Sequence, residues 1–500
     1  MATRVDLADL LAGLPLAVPR GIEVFDLTAD SRQVTPGALF LAVPGLSGHG
    51  VAHAAEAATR GARAMLWEPA RGFEQPELPA SLVAFAMPAL RLHTGMLADR
   101  FFAHPSAELR IAGITGTNGK TTCAHLVAAA LSGEDWRGAY SGTLGVGAVD
   151  DLRRVTHTTP DCVTVHRQLA ALRDHGYRHV GMEVSSHALD QERVAGVRFH
   201  TAVFTNLTRD HLDYHGTLDA YGAAKARLFA WPGLEQCVIN VDDPFGRELA
   251  GRVADHVAVT AVWTDPRRTE AVGEHFFHAR EVRPRRAGLE LHFASSLGSG
   301  VIRSRLIGDF NADNLLVALA VLTGWGMPLG EAVAALAQCT APPGRMETFG
   351  AAAGRPLVVV DYAHTPDALR KALKALRRHA GGQLYCVFGC GGDRDRGKRP
   401  MMGAIAEDGA DVIVLTDDNP RSEEPQRIVA AIRSGMQRPQ AARIEHDRER
   451  AIRTTLAQAG PVDTVLIAGK GHEDYQIVGR EIRALSDRAI VRDALAAERR

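Results

Sequence analysis

The 500-residue chain has few cysteines, no long hydrophobic run and no excess of charge of either sign. Each shortage excludes something. Cys123, Cys162, Cys237, Cys339, Cys386 and Cys390 are scattered through apolar stretches, and no two form a C-x-x-C pair. Neither a disulfide framework nor a zinc site follows from that spacing; buried thiols in a reducing cytoplasm fit it. No apolar run approaches the ~18 residues of a membrane span. The first residues, Met1-Ala-Thr-Arg-Val-Asp-Leu7, lack the apolar core of a signal peptide. A formal net charge of −1 favours neither nucleic acid nor an anionic membrane. The one dense basic cluster, Arg283-Pro-Arg-Arg286, reads as a solvated turn. There is no repeat at solenoid period.

What is present is a soluble globular composition, 46% hydrophobic and 23% charged. The chain is too long for one ordinary core, and two to four domains are expected. Residues 1–106 carry short strands and helices and run into a linker near Pro105. Residues 107–340 alternate apolar strands with helices, as in 179–184, 201–205 and 237–241. After Ala341-Pro-Pro-Gly344, residues 341–500 repeat that texture in strands at 357–361, 384–388, 412–416 and 465–468. Alternation of this kind predicts an α/β protein with parallel sheets covered by helices on both faces.

The most informative segment is Gly113-Ile-Thr-Gly-Thr-Asn-Gly-Lys-Thr121. An apolar strand precedes it, and an Ala/Leu-rich helix from Thr122 to Leu131 follows. Strand, Gly-rich turn, Lys-Thr and helix together cradle a nucleoside triphosphate. Gly116 and Gly119 let backbone N–H groups approach phosphate oxygens, and the helix N-terminus adds positive potential. Lys120 can reach the β- and γ-phosphates, and the Thr121 hydroxyl can sit on Mg²⁺. The common G-x-x-x-x-G-K-[ST] form would need Gly where Ile114 stands, so this is not the loop of GTPase switches or motor ATPases. The competing reading is a Gly-rich turn with an incidental lysine.

Other polar groups gather at strand ends, where ligands of open α/β sheets bind. Glu183 ends a strand and is placed to hold Mg²⁺, directly or through water; alternatively it belongs to a helix cap built by Ser185 and Ser186. Asn206, Asp210 and His211 follow another strand; a lone histidine is more often structural, but His211, beside Asp210 after a buried strand, is a candidate metal or phosphate ligand. Asn311 and Asn314 share one face of a helix start, where two amides can read a base edge or cap the helix. Arg345 stands just past a domain boundary, as a cation for a transferring phosphoryl group would. The last four strands lead into Asp361-Tyr-Ala-His364, Gly389-Cys-Gly-Gly-Asp-Arg-Asp-Arg396, Asp417-Asp-Asn-Pro-Arg421 and Gly469-Lys-Gly-His-Glu473. Lys225 lies in a helix capped by Thr217 and by itself reads as a surface lysine.

Gly116-Thr-Asn-Gly-Lys-Thr121, Glu183-Val-Ser-Ser-His187, Asn206-Leu-Thr-Arg-Asp-His211, Gly308-Asp-Phe-Asn-Ala-Asp-Asn314 and Pro343-Gly-Arg-Met-Glu347 together resemble the Mur ligases, along the whole chain and in order. The resemblance implies three domains: a small α/β uridine-nucleotide domain (1–106), a central ATP-binding parallel-sheet domain (107–340) and a Rossmann-like amino-acid domain (341–500). It implies ATP on Gly116, Thr117, Asn118, Gly119, Lys120, Thr121 and Thr122, with Asn311, Asn314, Arg345, Asp361 and His364. Mg²⁺ would be held by Thr121, Glu183, His211 and Lys225, the last as a carbamate. Lys120, Lys225, His211 and Arg345 would be the catalytic set. Ala29, Ser31, Leu46, Ser47 and Gly48 match uridine-nucleotide positions, and Thr158, Thr159, Ser185, Gln191 and Arg193 match those of a muramyl dipeptide. The family motif often has Asn where this chain has His157, which is left out of the set.

The implied reaction is ATP-dependent addition of meso-2,6-diaminopimelate to UDP-N-acetylmuramoyl-L-alanyl-D-glutamate through an acyl phosphate, in peptidoglycan precursor synthesis. Diaminopimelate is lysine with an extra carboxylate at its far end, and Arg meets a carboxylate with two parallel hydrogen bonds. Asp418, Asn419, Pro420 and Arg421 match the diaminopimelate-adding pattern, with Arg394, Gly469 and Glu473 as the other contacts and Glu473 suited to an ammonium group. Lysine-adding relatives lack that Arg, and folate-polyglutamating relatives lack the uridine domain. A nucleotide-dependent switch would hydrolyse ATP without any amino acid. The expectation is a cytoplasmic monomer acting on small molecules, with no nucleic acid and no membrane insertion.

Overall fold

The computed structural model describes residues 4–45, 48–70, 79, 82–133, 136–155, 157–253, 255–268, 273–350 and 354–497. It is a mixed α/β protein whose chain divides into two compact units, residues 1–239 with 243–259, and residues 240–242 with 260–500.

The first unit opens with a four-stranded parallel sheet, Asp26–Thr28, Ala38–Ala42, Ala64–Trp67 and Val83–Ala86, in chain order. Leu27, Leu39, Leu41 and Leu66 bury one face against Leu90, Leu97 and Phe101 of the helix Leu90–Phe101. Val163 and Ala170, from the helix Cys162–Asp174, join the same core. Arg167 fastens that junction, donating to Asp26 Oδ1 at 2.7 Å and to the Leu27 carbonyl at 2.5 Å. The larger sheet of this unit has parallel strands in the order Gly138–Gly142, His179–Glu183, Arg110–Thr115, Thr201–Phe204 and Gln236–Asn240. Gly145–Ala148 and Asp151–Arg153 extend one edge antiparallel. The central strands are buried on both faces, as continuous Val/Ile/Ala runs require.

In the second unit, Ala258–Trp263 pairs parallel with His275–Arg285, and Gly288–Ser295 and Gly298–Ser304 continue as an antiparallel meander. The C-terminal sheet runs Glu347–Gly350, Leu357–Asp361, Thr464–Ala468, Leu384–Phe388, Val412–Leu415 and Arg443–Ile444, parallel except for its first pair. Separate apolar clusters cover its two faces. The helix Pro366–Arg377 shows how sequence sets its bounds. Thr365 caps it through Ala368 N, Pro366 occupies the first turn, and Lys374 and Arg377 lie against the negative end of the helix dipole.

Strand positions agree with the sequence reading to within a residue or so; Gln236–Asn240 begins one residue before the expected 237–241. The basic cluster is corrected. Arg283 and Arg285 are not on a turn but in the exposed end of the strand His275–Arg285, and the turn follows them. There the strand's register with Gly288–Ser295 places Arg283 and Arg285 within ion-pair reach of Glu290, at 3.7 and 3.1 Å, so the cluster is neutralised locally. All six cysteines are free and buried, as expected.

Among the described residues, the pair Arg448 and Asp487 is fully buried. Arg448 Nε and one terminal nitrogen donate to the two oxygens of Asp487 at 2.7 Å each. The guanidinium also reaches the Asp417 carbonyl at 3.3 Å and the Ala468 carbonyl at 3.0 Å, the carboxyl ends of two strands. Removing one partner of such a pair strands the other in a medium that cannot solvate it. Asp487→Ala is therefore expected to cost about 3–5 kcal/mol in urea unfolding, with the m-value unchanged; a loss under about 1 kcal/mol would mean water reaches Arg448.

Candidate functional site

The phosphate loop leaves the buried strand Arg110–Thr115 and enters the helix Lys120–Ala130 through Gly119, whose φ of 88° needs a residue without Cβ. The segment after the next strand grips the loop. Thr205 Oγ1 donates to the Asn118 carbonyl at 2.6 Å, Asn206 Oδ1 accepts from Asn118 N at 3.0 Å, and Thr117 N donates to the Asn206 carbonyl at 2.8 Å. Asn206 thus acts in this structure as a clamp on the phosphate loop. A Cβ at Gly116 would overlap the Thr205 hydroxyl, so this close approach depends on glycine. Thr122 is in the first turn of the helix.

Glu183 is the hub beside the loop. It is almost wholly buried, and its carboxylate accepts from Thr121 Oγ1 at 2.9 Å and Thr143 N at 2.9 Å, and from the Tyr140 hydroxyl. Its carbonyl accepts from Thr159 Oγ1 at 3.0 Å, and Thr143 Oγ1 lies 3.0 Å from Thr158 Oγ1. Arg193 donates to the Thr159 carbonyl at 3.0 Å and to Gln191 Oε1 at 2.6 Å, and Gln191 donates to the Tyr214 hydroxyl at 3.0 Å. Ser185 N donates to Thr159 Oγ1 at 3.3 Å, so all five muramyl-dipeptide candidates form one hydrogen-bonded network around Glu183. The Ser185 hydroxyl also caps the helix Ser186–Asp190 through Ala188 N at 3.1 Å, so the capping reading of that segment holds too.

Lys225 is not a surface lysine: it is 1% exposed. Its Nζ donates to the Gly116 carbonyl at 2.9 Å, and the Lys120 ammonium donates to the same oxygen at 2.8 Å. Burial, and then the charge of Lys120, hold the Lys225 amine well below the ordinary lysine range, with Asp210 opposing. Its Nζ also lies 4.2 Å from the centre of the Tyr221 ring. His211 heads a short helix at φ 52° and packs edge-on against His187, 4.9 Å between ring centres. Among the described residues no hydrogen bond or ion pair joins His211 to Glu183, and no group of three His, Cys, Asp or Glu side chains is set to hold a metal ion. The oxygen donors brought together are Thr121 and Glu183.

In the first sheet of this unit, Ser31 is buried and donates to Glu56 at 2.7 Å, Ala29 is half-buried, and Gly48 accepts from Gly45 N at 2.7 Å. Leu46 and Ser47 lie outside the described residues.

The second unit carries the rest. Asn311 and Asn314 are both buried on one helix face; Asn314 Nδ2 donates to Asn311 Oδ1, and Asn311 Nδ2 to the Ile307 carbonyl, each at 2.8 Å. Neither amide caps the helix, for which Asp309 is the N-cap residue. Arg345 stacks on Tyr362 at 4.7 Å, and its Nε is buried without a hydrogen-bond partner. Asp361 accepts from Met346 N at 2.7 Å; burial raises its carboxyl above the usual range, and the Arg345 charge opposes that. His364 Nδ1 lies 2.8 Å from the Tyr362 carbonyl, and burial lowers its pKa.

Around the Asp418-Asn-Pro-Arg421 turn, Asp418 and Asn419 are buried and Arg421 adopts φ 51°. The Arg421 guanidinium donates to the Gly392 carbonyl at 2.8 Å. A Cβ on Gly391 would meet the Arg421 guanidinium and the aliphatic stem of Arg394. Gly469, at φ 114°, faces the Asp418 carboxylate. Asn419 Nδ2 donates to Glu473 Oε2 at 3.0 Å. Sequence reasoning singled out neither Tyr140 and Thr143, whose stretch has no distinguishing pattern, nor Lys470, whose only signal is Gly-Lys-Gly at a strand end.

Three family models match, in chain order: Mur ligase family, catalytic domain (residues 24–90), Mur ligase middle domain (114–322) and Mur ligase, glutamate ligase domain (344–471). A Pseudomonas aeruginosa protein named UDP-N-acetylmuramoyl-L-alanyl-D-glutamate–2,6-diaminopimelate ligase is 49% identical over 478 residues, 96% of each chain. An Ectopseudomonas mendocina protein of the same name is 48% identical over 481 residues, 96% of this chain and 97% of that one. A solved structure under that name superposes with a TM-score of 0.73 at 35% identity, covering 99% of both chains.

A methyl group on Gly142 would overlap Glu183 Oε1 and the Tyr140 hydroxyl. Gly142→Ala must displace the hub carboxylate, with an overpacking cost of about 1–3 kcal/mol. The expected result is a lowered Tm together with weakened nucleotide binding by calorimetry; an unchanged nucleotide affinity would separate Glu183 from the phosphate loop's function.

Proposed function

The chain belongs to the Mur ligase family, and from that premise we infer that it is an ATP-dependent ligase joining meso-2,6-diaminopimelate to UDP-N-acetylmuramoyl-L-alanyl-D-glutamate in peptidoglycan precursor synthesis. The observation that carries the choice of amino acid is the Arg421 guanidinium beside Gly391, with Glu473 tied to Asn419 of the same turn. A guanidinium suits a distal carboxylate and a carboxylate suits an ammonium group, which is the charge pattern of diaminopimelate.

In the reaction, the D-glutamyl γ-carboxylate attacks the γ-phosphorus of ATP, ADP leaves, and an acyl phosphate remains. The diaminopimelate amine then attacks the acyl carbon and phosphate leaves. Lys120 and the N-terminus of its helix stabilise charge on the transferring group. Thr158, Thr159, Gln191 and Arg193 hold the dipeptide against Glu183, and Ser185 reaches it from the helix cap. Thr121 and Glu183 are hard oxygen donors suited to Mg²⁺, which takes one or two carboxylates and completes its shell with substrate phosphates and water. Bound there, the ion neutralises phosphate charge. His211 is assigned to the same ion, Asn311 and Asn314 to the adenine, and Arg345, Asp361 and His364 to the nucleotide. Ala29, Ser31 and Gly48 are assigned to the uridine nucleotide.

The domain boundaries fall at 106/107 and 340/341, and each matched family model lies inside one of the three spans. The enzyme acts as a cytoplasmic monomer. No described helix is long and apolar enough to cross a membrane.

Phosphate release is expected to require ATP, the muramyl dipeptide nucleotide and meso-diaminopimelate together. In the same assay Arg421→Ala removes a charge-assisted contact worth roughly 1.5–3 kcal/mol, so kcat/KM for diaminopimelate falls about tenfold to more than a hundredfold while KM for ATP holds. Full release with ATP alone would favour a nucleotide switch, and equal losses for both substrates would make Arg421 structural.

Lys225 is assigned a carbamate. Its amine, whose pKa burial and Lys120 lower, attacks CO₂ once deprotonated; an N–C bond forms as a C=O π bond opens, one proton leaves the nitrogen, and the amine becomes an anionic oxygen ligand. Lys225→Ala is expected to fold but to be nearly inactive, with acetate or formate restoring part of the turnover, and Lys225→Arg is expected to fail. Wild-type turnover by Lys225→Arg, or absence of the carbamate carbon after ¹³CO₂ labelling, would return Lys225 to a packing role.

A further inference from the structure

Lys470 has no role in the reaction as derived above, yet it is one of the most deeply buried charges in the chain, with no exposed surface. Its ammonium donates to Glu473 Oε2 at 3.0 Å and to Asn419 Oδ1 at 3.2 Å, and it lies 5.3 Å from the centre of the Tyr475 ring. Asn419 Oδ1 also accepts from Ile477 N at 3.0 Å, and Asn419 Nδ2 donates to the same Glu473 oxygen at 3.0 Å. Lysine, amide and carboxylate therefore close a ring. Two donors facing Asn419 Oδ1 fix which way that amide points, because a flipped amide would set NH₂ against an ammonium and a backbone N–H. The two donors on Glu473 Oε2 fix the carboxylate in turn.

The Lys470 ammonium and the Asn419 amide both donate to Glu473 Oε2, so that oxygen is spent and the direction of a partly buried carboxylate is fixed. Lys470 itself has no exposed surface. We propose that Lys470 is a positioning residue for the amino-acid substrate: it acts through Glu473 and Asn419, without touching the substrate, to set the direction of the carboxylate that takes the substrate's ammonium group. This rests on the assignment of the Glu473 pocket to the incoming amino acid.

The test is a double-mutant cycle in the intact enzyme, with Lys470→Met, Glu473→Gln and the pair, assayed by phosphate release. Lys470→Met keeps the length and apolar bulk of the side chain and removes the charge. Its KM for diaminopimelate is expected to rise about tenfold or more, as for loss of one partner of a buried charge pair, with KM for ATP unchanged. kcat is expected to hold while that KM rises, and the double variant is expected to be no worse than Glu473→Gln alone. Additive losses, or an unchanged KM for diaminopimelate while thermal unfolding shows Lys470→Met folded, would make Lys470 a structural cation and overturn the proposal. Should Lys470→Met fail to fold, Lys470→Gln, which keeps a donor without the charge, takes its place in the cycle with the same expected shift. If the wild type consumes another amino acid, the substrate assignment is corrected, and the cycle run with that amino acid still decides the role of Lys470.

Discussion

Two lysines share one carbonyl, and much of the first unit's chemistry follows from that. Lys120 and Lys225 both donate to Gly116 O, at 2.8 and 2.9 Å, so their charges would stand within roughly 6 Å of each other at a helix N-terminus. At an effective dielectric near 20, two unit charges at that separation repel by about 3 kcal/mol. Burial adds to the strain on Lys225 but less on Lys120, which is only partly buried. Burial and the Lys120 charge together hold the Lys225 amine well below the ordinary lysine range. The crowding of cations that suits the loop to an anion and the lowered pKa of Lys225 are two consequences of one arrangement.

The second unit handles buried charge the other way, by pairing it. Arg448 is cancelled by Asp487, Arg399 by Glu423 and Lys470 by Glu473. Arg421 differs, because its side-chain hydrogen bond goes to a neutral group, the Gly392 carbonyl, while the hydrogen bonds from Ser422 and then the Arg421 charge lower the pKa of the nearby Asp393 carboxyl. The left-handed backbone at Arg421 costs energy in a non-glycine residue, and the hydrogen bonds from Arg421 N to the Ile477 carbonyl and from Gly479 N to the Arg421 carbonyl hold it there.

What the sequence made legible was whatever has a local signature. The phosphate loop, the strands and the polar clusters at their ends follow from glycine spacing and apolar runs, and the structure has them in place. Burial of single charges was not legible. Ala223-Ala-Lys-Ala226 fits a solvated helix face as well as a buried one, and only packing of that helix beside the loop puts Lys225 inside. Lys470 sat unnoticed inside a Gly-rich strand end, because its partner Asn419 is 51 residues away. The partners of Glu183 come from the Tyr140–Thr143 stretch, 43 and 40 residues earlier, so no short-range pattern could have named them. Arg283–Arg286 misled for a related reason: charge density suggested a turn, but an exposed strand edge tolerates charge equally well.

Register connects these observations. Glu183 pairs with Ile114 in the parallel ladder, and the phosphate loop begins two residues beyond that point. The carboxylate therefore lies one strand across from the loop, at the height of the first helical turn, where Thr121 reaches it. In the C-terminal sheet Asp361 pairs with Ala468, and Gly469 N donates to the Asp361 carbonyl at 3.1 Å, so the Asp361 and Gly469–Glu473 segments leave the sheet side by side. A slip of one residue in either ladder would turn Glu183 or Asp361 to the opposite face of its sheet. Continuous β-branched and apolar runs fix that register by burying both faces, so residues with no contact to any ligand determine where the reacting groups stand.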